Sequence, residues 1–343
     1  KNGTPHECEK WPDPPPWRIF ASEIPEILEK DDEQNNDEYD DSEEVKRDQE
    51  RGRKFKARDK EVDMINAALL LRRPLLVTGK PGSGKSSLAY SVAYQLNLGH
   101  VWRWPITTRA TLHDGLYHYD AIARLYDISL EKEKEKEESQ KQHTPKKSED
   151  IGQYIRLGPL GTALLPRKKP RVLLIDEIDK SDIDLPNDLL HVLEEGSFDI
   201  TELLRYGRRE KDGNLEPVYV FPSKGDRASA RVVNGWVRCQ AFPFVVMTSN
   251  GEREFPPAFL RRCIRLNMER PNPADIKRIV EEHLGQEAFG QAENLVEMFE
   301  KNRQRGDVAT DQLLNAIYLK SWGADPGEKK ELFEAILRQL NQG

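Results

Sequence analysis

The chain is poor in cysteine. It has three in 343 residues, and Cys8, Cys239 and Cys263 stand too far apart to form a CxxC pair. A disulfide framework or a zinc site is therefore not expected, and a reducing cytoplasm is the expected setting. Long apolar runs are also missing. None reaches the ~18 residues that a membrane span needs. The N-terminus lacks the basic-then-apolar layout of a secretory leader, and no Met begins it, as in a trimmed piece. Positive charge is not in excess, for the net charge is -7. Duplex nucleic acid is disfavoured as the main partner on that ground, although a local basic surface is still possible. There is no internal repeat.

What is present is uneven. Residues 1–54 open with a Pro- and Trp-rich stretch and continue as an acidic run, a composition that buries little apolar surface and is expected to be disordered. The aromatics Trp11, Trp17 and Phe20 leave docking open as a second reading. Folded structure is expected from about Phe55. Residues 59–71 read as a helix with Asp59 as N-cap. Residues 73–79 read as a buried strand, 86–98 as a helix, and 101–107 as the next strand. Residues 131–149 form a charged insert, either a surface helix extension or a mobile loop, with no expected core. Residues 171–179 read as a second buried strand, 184–196 as a helix, and 242–250 as a third buried strand. Between them, residues 197–243 carry short strand-like segments around KDGN and SKGD turns, as in a β-hairpin insertion. From Asn272 the pattern becomes helical to the end, with Asn-Pro as a cap and first turn.

The strongest chemical signal is Gly79-Lys80-Pro81-Gly82-Ser83-Gly84-Lys85-Ser86. It fits G-x-x-x-x-G-K-[ST] and lies between an expected strand and an expected helix. Glycines let backbone N–H groups approach phosphate oxygens, and the helix that follows points its N-terminal dipole at the same anion. Ser87 extends the run. Lys85 suits the β- and γ-phosphates and Ser86 suits Mg²⁺. The second signal is the strand Val172–Asp176 followed by Glu177. Alone, a strand ending in Asp-Glu is weak. Downstream of a P-loop it places Asp176 to hold Mg²⁺ through water and Glu177 to act as general base. Asn250 ends the third strand, either to orient the water or simply to close the strand as a turn residue. Arg261 and Arg262 are candidates to reach a neighbouring subunit's nucleotide, against the plainer reading of a surface ion pair.

These motifs resemble the AAA+ ATPases, and within them the MoxR-like branch, over about residues 55–343. GKPGSGKSS is similar to Walker A, LLIDEID to Walker B, VVMTSN to sensor 1 and PPAFLRRC to the arginine-finger helix. The resemblance implies an α/β P-loop core over 55–271, with the inserts 131–149 and 197–243, and a helical lid over 272–343. It also implies a homo-oligomer, as a hexameric ring, with ATP and Mg²⁺ held between subunits. A further implication is a chaperone-like role on a partner protein, often one with a von Willebrand A-type domain. One departure is that Asp311 or Gln312 stands where the lid would carry a sensor 2 arginine, with Arg303 or Arg305 as substitutes. The leading function is thus an ATP-driven remodelling ring. The alternatives are a nucleotide-dependent switch with slow turnover and a nucleic-acid-dependent motor, with GTP open as its nucleotide, served by basic pieces such as RYGRREK.

Overall fold

The computed structural model describes residues 11–18, 20, 43–137, 150–206, 217–223, 229–286, 290, 292–306 and 308–338. Its strands are β1 (Leu75–Thr78), β2 (Val101–Pro105), β3 (Tyr117–Tyr119), β4 (Ile155–Leu157), β5 (Val172–Asp176) and β6 (Ser197–Asp199). They continue with β7 (Val218–Val220), β8 (Ala230–Val232), β9 (Trp236–Arg238), β10 (Phe244–Ser249) and β11 (Ile264–Asn267). Five of them form a parallel sheet in the order β11-β1-β10-β5-β2. This is the α/β P-loop architecture that the sequence led us to expect.

Side-chain alternation along these strands builds a core on each face of the sheet. Leu173 and Ile175 of β5, with Val245 and Met247 of β10, join one cluster. Val172 and Leu174, with Phe244 and Val246, join the other, under the helices Asp59–Leu71 and Lys85–Gln95. Each such side chain, when fully buried, contributes roughly 1.5–3 kcal/mol. The parallel register then aligns the carboxyl ends. Thr78 pairs with Ser249, and Met247 with Ile175, so that Thr248 comes beside Asp176. Parallel sheets take their ligands at this edge.

A third apolar cluster, around Ile276, Phe299, Leu313 and Phe333, holds the helices Pro273–Leu284, Glu293–Arg305, Thr310–Ser321 and Lys330–Ile336 together. Asn272 caps the first of them, accepting from the Asp275 amide at 2.8 Å, as the Asn-Pro pair suggested. Within 197–243, two antiparallel pairs form, β6 with β9 and β7 with β8. The RYGRREK stretch from residue 207 on, the KDGN turn and most of the SKGD turn lie outside the described residues.

Two local expectations need correction, and one open reading is decided. The helix Asp59–Leu71 is capped by Arg58 rather than Asp59, the Arg58 amide donating to the Glu61 carboxylate at 2.8 Å. The charged insert begins as the extension of a helix, Ala121–Glu137, one of the two forms open for it. Residues 138–149 lie outside the described residues. The acidic N-terminal region contains a helix, Glu43–Lys54, laid against the P-loop helix. Composition hid it because it docks largely through polar groups. Val45 is its one buried apolar side chain. Asp48 accepts from the Val101 amide at 3.1 Å, and Arg51 lies 4.0 Å over the Tyr90 ring. A Cβ on Gly52 would come within 2.3 Å of the Tyr90 carbonyl oxygen, so the two backbones approach closely only because this residue is glycine. Upstream, Phe20 is buried and stacks on Phe242 at 5.1 Å, while Trp17 is exposed. Among the described residues, no helix is long and apolar enough to cross a membrane.

Candidate functional site

The loop after β1 turns through Gly79, Lys80, Pro81, Gly82 and Ser83 into the helix that begins at Lys85. Gly82 and Gly84 hold positive φ, 72° and 89°. A Cβ at Gly82 would lie 2.6 Å from the Thr310 amide nitrogen, and one at Gly84 would lie 2.8 Å from the Phe55 ring. The glycines therefore admit the lid backbone and an aromatic ring on the loop's outer side. Pro81, Gly82, Ser83, Gly84, Lys85, Ser86 and Ser87 line a cavity of about 760 Å³, with Asp176, Glu177 and Asn250 among its other walls. That volume suits a nucleotide.

The functional side chains fall into two adjoining hydrogen-bond networks on one cavity, one around Lys85 and Asn250 and one around Asp176. Lys85 donates to the Gly79 carbonyl at 2.7 Å, the Lys80 carbonyl at 3.1 Å and Asn250 Oδ1 at 2.8 Å. Burial draws its ammonium below the ordinary lysine range, against the raising pull of Asp179, Asp176 and Glu177. Asp176 Oδ1 accepts from Ser86 Oγ and from Thr248 Oγ1, each at 2.8 Å. Its Oδ2 accepts Nε and Nη2 of Arg103 at 3.1 and 2.7 Å. Burial raises this carboxyl, but the bonds from Thr248, Ser86 and Arg103 outweigh it and hold the group below its ordinary value. Glu177 sits at φ 63°, ψ 50°. That left-handed backbone costs a non-glycine residue on the order of 1–3 kcal/mol and is concentrated at functional sites. Its amide donates to Thr248 Oγ1 at 2.8 Å, and its carboxylate pairs with Lys180 at 2.8 Å.

The donor set fits a magnesium nucleotide. Ser86 and Asp176 offer hard oxygens 2.8 Å apart. The buried hydroxyl of Ser83 has no protein partner, as suits a group that meets a ligand oxygen.

Arg262 and Arg261 do not join these networks. They follow the short helix Pro257–Leu260 rather than lying on it. Arg262 pairs with Glu194 and donates to the Ala258 carbonyl at 3.2 Å. It lines a separate cavity of about 260 Å³ with Arg18, Arg73 and Cys263. Arg261 is exposed, and its carbonyl accepts from Arg73 at 2.7 Å. At the lid, Thr310 Oγ1 donates to the Gly82 carbonyl at 2.9 Å, so a neutral hydroxyl meets the P-loop. Gln312 donates to the Ile336 and Arg338 carbonyls, and Arg303 to the Pro271 carbonyl at 2.7 Å. The Arg305 side chain lies outside the described ones. Among the described residues, Arg58 and Lys56 of the core pair across to the helix Pro273–Leu284, Arg58 with Asp275 at 2.9 Å and Lys56 with Glu282 at 2.5 Å, while Arg278 holds the other Asp275 oxygen from within that helix at 3.0 Å.

Sequence reasoning missed three members of these networks. Thr248 sits inside a strand motif that drew attention only to its end. Asp179 Oδ2 accepts the Asn250 and Glu252 amides at 2.9 and 3.1 Å, tying the loop after β10 to the turn after β5. Arg103 was the most legible of the three, a charge between two tryptophans in an otherwise apolar strand.

A P-loop of this form on a parallel sheet defines the class, the P-loop nucleoside triphosphatases. Within it, residues 74–263 match the family model described as AAA domain (dynein-related subfamily), more than half of the chain, and the chain belongs to that family. No curated protein matches it. Among solved structures, it is similar to a protein of Cytophaga hutchinsonii ATCC 33406 called a "putative ATPase", at 13% identity and a TM-score of 0.35. The match covers 74% of this chain and 59% of that one.

Proposed function

We propose that the chain hydrolyses ATP at this cavity, between subunits of a homo-oligomeric ring, and uses turnover to remodel a partner protein. The observation that carries the reading is that two adjoining networks line one cavity, one joining Lys85 to Asn250 and the other joining Ser86 and Thr248 to Asp176, with the Glu177 amide on Thr248. Lys85 leaves the loop carbonyls to hold the β- and γ-phosphates. Ser86, directly, and Asp176, through water, hold Mg²⁺, which when bound neutralises charge on the phosphate oxygens. Glu177 takes the proton of the attacking water, and Asn250 orients that water. Arg262, with Arg261 as second choice, reaches the nucleotide of the adjacent subunit. The MoxR-like branch, a hexameric ring, a von Willebrand A-type partner and a cytoplasmic setting belong to the same proposal.

Glu177→Gln tests it. The variant keeps the side chain's size and removes the base, so it should bind ATP and hold it uncleaved. Hydrolysis at the wild-type rate would remove Glu177 from the role.

One observation favours a second reading, a nucleotide-dependent switch with slow turnover. The lid meets the P-loop through Thr310 rather than an arginine; Gln312 lines the cavity but donates to the Ile336 and Arg338 carbonyls, and Arg278, the lid arginine lining the cavity, is held by Asp275. With Arg278 held in that pair, closure would respond weakly to the γ-phosphate. Single-turnover and steady-state rates separate the two readings.

A further inference from the structure

Arg103 occupies an unusual position. It lies on β2, one strand beyond Asp176, and its fork approaches Oδ2 through both Nε and Nη2. A carboxylate has about four acceptor sites. Ser86 and Thr248 fill two of them at Oδ1, and Arg103 fills the two at Oδ2. A metal-bound water that donates to Asp176 therefore needs one of these partners to leave. Thr248 is buried at 1% exposure and also accepts the Glu177 amide, so its loss would break the turn. Ser86 is itself a proposed metal ligand. Arg103 is the one partner able to yield. Its side chain is 52% exposed, it hangs on a flexible stem, and it lines the same cavity as the P-loop.

We propose that Arg103 is a displaceable counter-ion of Asp176, which competes with magnesium for that carboxylate and sets the metal concentration at which a nucleotide is captured. The proposal rests on the reading that this cavity takes a magnesium nucleotide. In the metal-free protein the guanidinium neutralises a carboxylate that is otherwise largely desolvated, and so keeps Asp176 in place. When the metal arrives, Arg103 swings into the cavity, where an anionic ligand compensates for the lost pair. Binding of nucleotide and metal are thereby coupled, because each makes the release of Arg103 less costly.

The test is binding rather than turnover. The affinity of N-methylanthraniloyl-ADP is followed by fluorescence while Mg²⁺ is titrated from EDTA upward, for wild type, Arg103→Gln and Arg103→Lys. The Gln variant removes the competing charge and should lower the Mg²⁺ midpoint roughly tenfold, the lower end of what charged hydrogen bonds are worth. The Lys variant keeps the charge and loses the fork, so its midpoint should fall about threefold. If the Gln variant lacks a cooperative thermal transition, the Lys variant alone decides the matter. Equal or raised Mg²⁺ midpoints in the folded variants, with wild type binding the probe, would overturn the counter-ion role alone. Wild type that binds the probe under neither condition would overturn the reading of the cavity and this inference with it.

Discussion

At the P-loop cavity, Asp176 receives four hydrogen bonds from three side chains, and Lys85, Asn250 and Asp179 are linked in turn. At the Arg262 corner, beside the helix Leu185–Glu195, the cations are held mainly by backbone carbonyls, Arg18 by those of Leu193, Glu194 and Arg72, and Arg73 by that of Arg261. Arg262 has one carboxylate partner, Glu194, and one backbone carbonyl. The first site is closed upon itself within one chain. The second presents a partly exposed cation whose carboxylate partner is itself solvent-facing. That difference is what the proposed shared site would need, one half that binds and another that reaches across a boundary.

The sharpest way to break this comparison is to remove the cation at the corner. Arg262→Ala should reduce ATP turnover by roughly 10³–10⁵, the range for a guanidinium supplied in trans, while leaving ADP affinity unchanged within about twofold. Mixed assemblies of Arg262→Ala with Lys85→Ala subunits should regain turnover that neither shows alone, because the second still donates Arg262 to the first. Unchanged turnover in Arg262→Ala beside an inactive Arg261→Ala moves the role one residue back. Full activity in both ends the shared-site reading.

The corner is also predicted to be closed around its thiol in the isolated chain. Burial pushes the Cys263 thiol up to about 12, against the lowering pull of Arg73 and Arg265, and Cys239 likewise reaches about 12. An ordinary thiol titrates near 8.5. At pH 8 the native thiolate fraction, and with it the rate of iodoacetamide labelling, should be roughly 10³-fold below that of the denatured chain. The sign for stability follows from the same shift. The contribution is fully present below about pH 8.5 and is lost as pH rises toward 12. Rapid labelling of the peptide containing Cys263 in native protein would show that the corner opens by itself.

At the cavity, Lys85→Ala should weaken nucleotide binding roughly 10²–10³-fold, since a buried charged partner of the phosphates is lost while the backbone loop remains. Isothermal titration with ADP reads this directly, and normal affinity would sink the P-loop assignment.

How much of this could be read from the residues follows the same division. The P-loop, Asp176, Glu177 and Asn250 were legible because each is fixed by local chemistry, a glycine turn or the end of an apolar strand. Thr248, Asp179 and Arg103 were not, because their partners come from other strands. Their roles depend on the register that sets Met247 against Ile175 and Pro105 against Asp176. The helix Glu43–Lys54 was obscured for another reason, although Phe20, one of the aromatics that left docking open, is buried. Composition measures how much apolar surface a segment can bury, whereas this helix docks through one valine, one glycine and several charges placed against strand ends and a ring.

The smallest effect contrasts one polar deletion at each place. Thr248→Val keeps the side chain's shape and removes a buried hydroxyl that serves both Asp176 and the Glu177 amide. An unsatisfied buried amide of this kind costs about 1–3 kcal/mol, and for a chain of this size each kcal/mol moves the thermal midpoint by about 2–4 °C. Glu194→Ala removes the carboxylate partner of Arg262 from a solvent-facing pair, and pairs of that kind contribute little to stability. Differential scanning fluorimetry should therefore show a drop of several degrees for Thr248→Val and no resolvable shift for Glu194→Ala. The second variant should also show turnover at or slightly above wild type, because Arg262 no longer has to leave a partner before it reaches the neighbouring subunit. A clear loss of stability in Glu194→Ala would mean that the ion pair is part of the fold. Arg262 would then be a fixed structural cation, and the contrast between a half that binds and a half that reaches across would fail at that residue.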